Sequence, residues 1–136
     1  MDNRIRVVTL TADKTLGKND SGSLFVLHSA DGIEVTLPAR GRGLYYDFVV
    51  RTAVTASDKY EIKTPTADKI RGVLVNSKND TASKTFVATS SDEIDMNGST
   101  TGGLVGAGFR LVCDNDGVWN VFGYNTSSGT EATPFA

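Results

Sequence analysis

The chain has 136 residues, 39% of them hydrophobic and 22% charged, with 14 basic against 16 acidic residues and a net charge of −2. That length suits one domain with a core of its own, and the near-neutral balance argues against binding nucleic acid through a basic surface. One cysteine and one histidine, Cys113 and His28, exclude an intrachain disulfide, a cysteine-based zinc cluster and a multi-histidine metal site within one chain.

From the N-terminus, Met1 to Arg4 precede a short apolar stretch broken at Thr9, so neither a signal peptide nor a membrane span is expected. Arg4 to Leu10 reads as an opening strand. Ile33 to Leu37 and Lys59 to Lys63 alternate apolar and polar residues, which places one set of side chains on each face of a strand. Leu24–Leu27, Phe48–Val50 and Val73–Val75 are instead continuous apolar runs, the pattern of strands covered on both sides, by a second sheet or by a neighbouring subunit. Phe86-Val87, Phe109 to Cys113 and Val118 to Tyr124 bring the total to about ten short strands, and no window carries a helical stripe. The expectation is an all-β, single-domain β-sandwich or jelly-roll-like barrel over residues 1–124.

The connections carry turn chemistry. Asp31-Gly32, Asn97-Gly98 and Asp116-Gly117 supply residues that tolerate positive φ, and Pro38, Pro65 and Pro134 fall at segment ends. Thr-Ala-Asp-Lys occurs at 11–14 and 66–69, with Thr-Ala-Ser-Asp-Lys at 55–59; the unequal spacing does not define a solenoid, and polar turns explain all three. Residues 125–136 are small and polar. They are expected to form a C-terminal extension, disordered in an isolated monomer and acting as a contact arm on a neighbour.

Candidate chemistry is sparse. His28 and Ser29 with Asp31 suggest a hydrolase, but adjacent strand residues point to opposite faces and no Gly-x-Ser-x-Gly elbow is present. Asp114-Asn115-Asp116-Gly117 starts like a calcium loop, yet its twelfth position is Asn125 rather than glutamate. The glycine-rich loop Gly98–Gly108 lacks both nucleotide-binding spacings. Cys113 alternates with Leu111 and Phe109 as a buried thiol would. Asn79, Asn97 and Asn125 head glycosylation-type triplets that mean only surface turns without secretion. Arg40-Gly41-Arg42-Gly43 reads as an exposed loop suited to an acidic partner surface. No catalytic residue, metal or cofactor is expected, and the chain is not expected to be an enzyme.

Several segments together resemble small virion proteins of tailed bacteriophages. They are Leu10-Thr-Ala-Asp13, Gly22 to Leu27, Asp31 to Ala39, Gly43 to Val50, and the strand–turn–strand unit Phe109 to Gly123. Among these, a chain of this size looks most like a capsid decoration (cement) protein. The resemblance implies a β-sandwich or jelly-roll homotrimer, made in the bacterial cytoplasm, that sits on the capsid exterior and clamps the major capsid protein, with no nucleic acid or membrane partner. The side chains expected to meet partners are Arg4, Arg6, Arg40, Arg42, Tyr45, Pro134 and Phe135. The alternative is a receptor- or glycan-binding domain of a tail fibre or spike, stacking sugars on Tyr45, Tyr46 or Trp119.

Overall fold

Alternate residues are buried along almost every apolar segment, including those that read as continuous runs. The computed structural model describes residues 3–55, 57–65, 67–78 and 83–136. Among the described residues eleven strands form: β1 (Val7–Leu10), β2 (Lys14–Thr15), β3 (Leu24–Leu27), β4 (Ile33–Thr36), β5 (Tyr45–Val50), β6 (Tyr60–Lys63), β7 (Ile70–Ser77), β8 (Ser83–Ser91), β9 (Glu93–Met96), β10 (Gly108–Cys113) and β11 (Trp119–Thr126). The helical content among the described residues is one 3₁₀ turn, Lys18–Asp20. The fold is an all-β sandwich.

A seven-stranded sheet, in the order β1-β3-β5-β10-β11-β7-β8, packs on a four-stranded sheet, β2-β4-β6-β9. The first six strands alternate between the sheets. β1, β3 and β5 lie parallel in the larger, and β2, β4 and β6 lie parallel in the smaller. The chain therefore winds around its core in successive coils, and the Asp31-Gly32 turn carries it from one sheet to the other instead of closing a hairpin. The Ile33↔Tyr60 to Thr36↔Lys63 register stacks two coils, and each coil ends in an X-Pro pair, Leu37-Pro38 and Thr64-Pro65. Jelly rolls are built from antiparallel Greek keys, so of the two expected architectures the chain adopts the sandwich. The winding stops after β6. The β10–β11 hairpin, antiparallel to β5 and parallel to β7, enters between them.

Inward side chains of the two sheets form one core. Phe25, Phe48 and Phe109 sit on neighbouring strands with ring centroids 5.7 and 5.5 Å apart, and Tyr46 lies 5.8 Å from Trp119. Ile33, Val35, Tyr60, Ile62, Ile94 and Met96 meet them from the smaller sheet.

The C-terminal residues depart from their expected role. β11 runs to Thr126, past the expected boundary at 124, and the following residues do not project. Ser128 and Ala132 donate backbone hydrogen bonds to Ser99 and Thr100. Phe135 then bridges Ile94, and the amides of Asp92, Glu93 and Asp95 donate to main-chain oxygens of Ala136 and Pro134. Composition reads this segment as polar and free. Pro134 and Phe135 within it are buried, and its backbone covers the open edge of β9. An unpaired edge would otherwise remain exposed.

Candidate interaction surface

The larger sheet has a second face that none of the described residues covers. In one row across all seven strands stand Val7, Leu24, Asp47, Arg110, Phe122, Val73 and Val87. The next row holds Thr9, Val26, Val49, Gly108, Tyr124, Val75 and Thr85. Val7 is 58% exposed, Phe122 54%, Tyr124 67% and Val87 64%. Gly108 has no side chain to fill the space between Val49 and Tyr124. A shallow groove of about 790 Å³ opens there, walled by Ile5 and Leu24 on one side and by Phe122 and Tyr124 on the other.

Charge enters this face at Asp47 and Arg110, and at the exposed Arg71, which shares the adjacent row with Tyr45, Val112 and Asn120. Arg110 donates from Nε and Nη2 to the two carboxylate oxygens of Asp47, at 2.6 and 2.9 Å. The guanidinium also lies 4.9 Å from the ring centroid of Tyr45. A bidentate pair stacked on an aromatic face is stiffer than most surface pairs.

The outer face of the smaller sheet has the opposite character. Glu34 pairs in register with Glu61, Glu61 with Asp95, and Lys63 with Glu93. Lys59 bridges Glu61 and Asp95 at 2.8 and 2.9 Å, and Lys63 lies 2.9 Å from Glu34. These hydrogen bonds push both ammonium groups above the ordinary lysine range. Burial, reinforced by Glu61 and Asp95, pushes the Glu93 carboxyl up. Exposed pairs of this kind contribute little to stability. They mark a face built for water.

Comparison with protein-family models, curated proteins and solved structures finds no match to this chain.

The residues expected to meet partners are not gathered on one surface. Arg4 is exposed ahead of β1. Arg6 pairs with Asp20 at 3.1 Å. Arg40 approaches Asp68 at 3.9 Å and, with the exposed Arg42, rims a hollow of about 300 Å³ beside Asp114 and Asp116. Tyr45 lies under Arg110, and Pro134 and Phe135 are buried against β9. Reading single residues missed Phe122, Tyr124, Val73, Asp47 and Arg110. For Val73 the signal was its continuous apolar run, which demands cover on both faces; Asp47, Arg110, Phe122 and Tyr124 lie outside such runs.

The remaining candidate chemistry is taken up by structure. His28 Nδ1 pairs with Thr52 Oγ1, and the Ser29 amide donates to Tyr60 Oη, so no triad assembles with the exposed Asp31. Asp114 accepts from the Asn120 amide and from the backbone N–H of Asp116 and Val118, which holds its carboxyl below the usual range. Its oxygens close a hairpin turn. In the glycine-rich loop, the amides of Ser99 and Thr101 donate to Asn97, and that of Gly103 donates to Asn125. Burial pushes the Cys113 thiol up. Asn125 is fully buried and the Asn97 carboxamide is engaged, whereas Asn79 lies outside the described residues. Among the described residues, no group of three or more His, Cys, Asp or Glu could hold a metal, and no helix is long and apolar enough to cross a membrane.

Proposed function

We propose that the chain is a structural, non-enzymatic protein of a tailed-phage virion. As a decoration protein it binds the outside of the capsid as a homotrimer and reinforces contacts between copies of the major capsid protein. The observation that carries this reading is the two-sided surface of the sandwich. One broad face is rich in apolar side chains and the other is a charged, solvated lattice, as suits a module held between protein neighbours and water. The protein would stabilise the shell by mass action, binding only the assembled lattice, and threefold attachment would turn weak single contacts into a strong one.

The receptor- or glycan-binding alternative keeps less of its support. Tyr46 and Trp119 are fully buried and Tyr45 is stacked on Arg110, which leaves Phe122 and Tyr124 as exposed aromatic rings. Purified protein added to undecorated phage capsids tests the main reading. Stoichiometric co-sedimentation with a rise in capsid melting temperature is the expected result. Protein that stays in the supernatant, yet blocks phage adsorption to cells, would overturn it in favour of the alternative.

A further inference from the structure

We propose that the outer face of the seven-stranded sheet is the interface between copies of this chain. The inference rests on the reading of the protein as an assembly module, but its test needs no capsid.

Three observations converge. First, Leu24, Val26, Val49, Val73 and Val75 are the outward members of apolar runs whose inward members form the core. Sequences of this kind belong to strands covered on both faces, and the described residues cover only one. Second, the charges at the centre of the face are self-complementary. Asp47 and Arg110 are adjacent in one row, and Arg110 engages two of its five guanidinium donors in their pair. A foreign apolar surface would desolvate this pair and return nothing to it. A second copy supplies a matching acceptor and donor by symmetry. Third, the opposite face is saturated with charge, so the smaller sheet is the side left in water.

The same charges select an orientation. Rotating one face onto another about an axis across the strands would set Asp47 against Asp47 and Arg110 against Arg110. An axis along the strands sets Arg110 against the Asp47 of the next copy, at the centre of the contact. It also brings the β1–β3 flank, with Val7 and Leu24, onto the β11–β7 flank, with Phe122 and Val73 of that copy.

A cysteine pair tests both the face and the orientation. Val7 and Val73 share a row with four strands between them, about 24 Å apart at ordinary strand spacing and beyond the reach of a disulfide within one chain. The variant carrying Val7→Cys and Val73→Cys should therefore form disulfides only between copies, with Cys113 buried and uninvolved. Light scattering of the unmodified protein should give an oligomer, and Phe122→Glu and Tyr124→Glu should each give a folded monomer. An unmodified protein that is monomeric at every concentration would overturn the inference. So would glutamate variants that stay at the parent size, or an oligomer whose cysteines never link. A linked trimer satisfies the proposed function as well. A species that stops at two chains keeps the interface and removes the trimeric reading, and a linked trimer that ignores capsids removes the decoration role alone.

Discussion

The carboxamide of Asn125 occupies the space that a side chain at Gly102 would need. A Cβ at Gly102 would lie 2.0 Å from Asn125 Oδ1, and Gly102 itself has a φ of +101°. Asn125 accepts from the amides of Gly103 and Thr126 and donates to the carbonyl of Thr101, so one side chain on β11 ties down the glycine-rich loop. Gly102→Ala is expected to cost more than about 3 kcal/mol, because it strains the backbone and displaces these bonds together. Asn125→Ala leaves buried backbone groups unpaired and should cost about 2 kcal/mol. Since each substitution removes the same contact, the double variant should be less destabilised than the sum. Urea titration of the four proteins measures that coupling.

Tyr46 offers a test at alkaline pH. Its hydroxyl donates to the Gly17 carbonyl at 2.8 Å, and burial, with a contribution from Asp20, pushes its pKa up to about 12 from 10.0. The folded chain holds this proton more tightly than the unfolded one, so the stabilisation is complete below pH 10.0 and is lost as pH rises toward about 12. Tyr46→Phe should cost about 1 kcal/mol at neutral pH and make the alkaline decline shallower. The slope that remains belongs in part to Tyr60, which burial also pushes up. Urea midpoints across the alkaline range would show whether the two slopes differ.

Acid pH separates two carboxylates with opposite signs. The Gly17 amide and the Arg6 guanidinium hold Asp20 below its ordinary 3.8, so its stabilisation is present above that value and disappears as pH falls through the lowered one. Asp20→Asn should flatten the acid limb of the stability profile. Glu93 behaves in reverse, since burial and its acidic neighbours favour the protonated form in the fold. Its contribution is greatest below 4.5 and is lost as pH rises through the raised value. Glu93→Gln should therefore stabilise the protein at neutral pH and leave it unchanged in acid. Identical midpoints at neutral pH would contradict this assignment.

Legibility in the sequence followed the range of each interaction. The alternation of Ile33-Glu34-Val35-Thr36 is local, and it identifies both the strand and its buried face. The Asp114–Gly117 turn is local as well, and it closes the β10–β11 hairpin as its residues suggest. Parallel pairing is not local. Nothing within Leu24–Leu27 distinguishes a partner on β1 and β5 from an antiparallel neighbour, so the winding of the first six strands was hidden. Stacked coils leave their trace at long separation, in the 27-residue offset from Ile33 to Tyr60, rather than in the Thr-Ala-Asp-Lys repeats. The candidate surface was half legible: Phe48-Val49-Val50 announced two covered faces without saying which neighbour covers the second. The C-terminal segment misled because composition averages over residues, and the burial of Phe135 against Ile94 outweighs the polar residues around it.

That segment supports the last prediction. Removing residues 133–136 deletes the burial of Phe135, about 1.5–3 kcal/mol, together with the backbone bonds that Asp92, Glu93 and Asp95 make to Pro134 and Ala136. The truncated chain should lose about 3 kcal/mol or more, allowing about 1 kcal/mol for each hydrogen bond. Hydrogen exchange at the amides of Glu93 and Asp95 should accelerate, while Arg110 and Phe122, on the larger sheet, keep their protection. Because the segment lies along the smaller sheet, truncation should leave self-association through the apolar face intact wherever the protein stays folded. A truncated protein of undiminished stability that fails to assemble would mean the reverse: residues 133–136 would then act as an arm on a neighbour, and their docking along β9 would be the resting position of that arm.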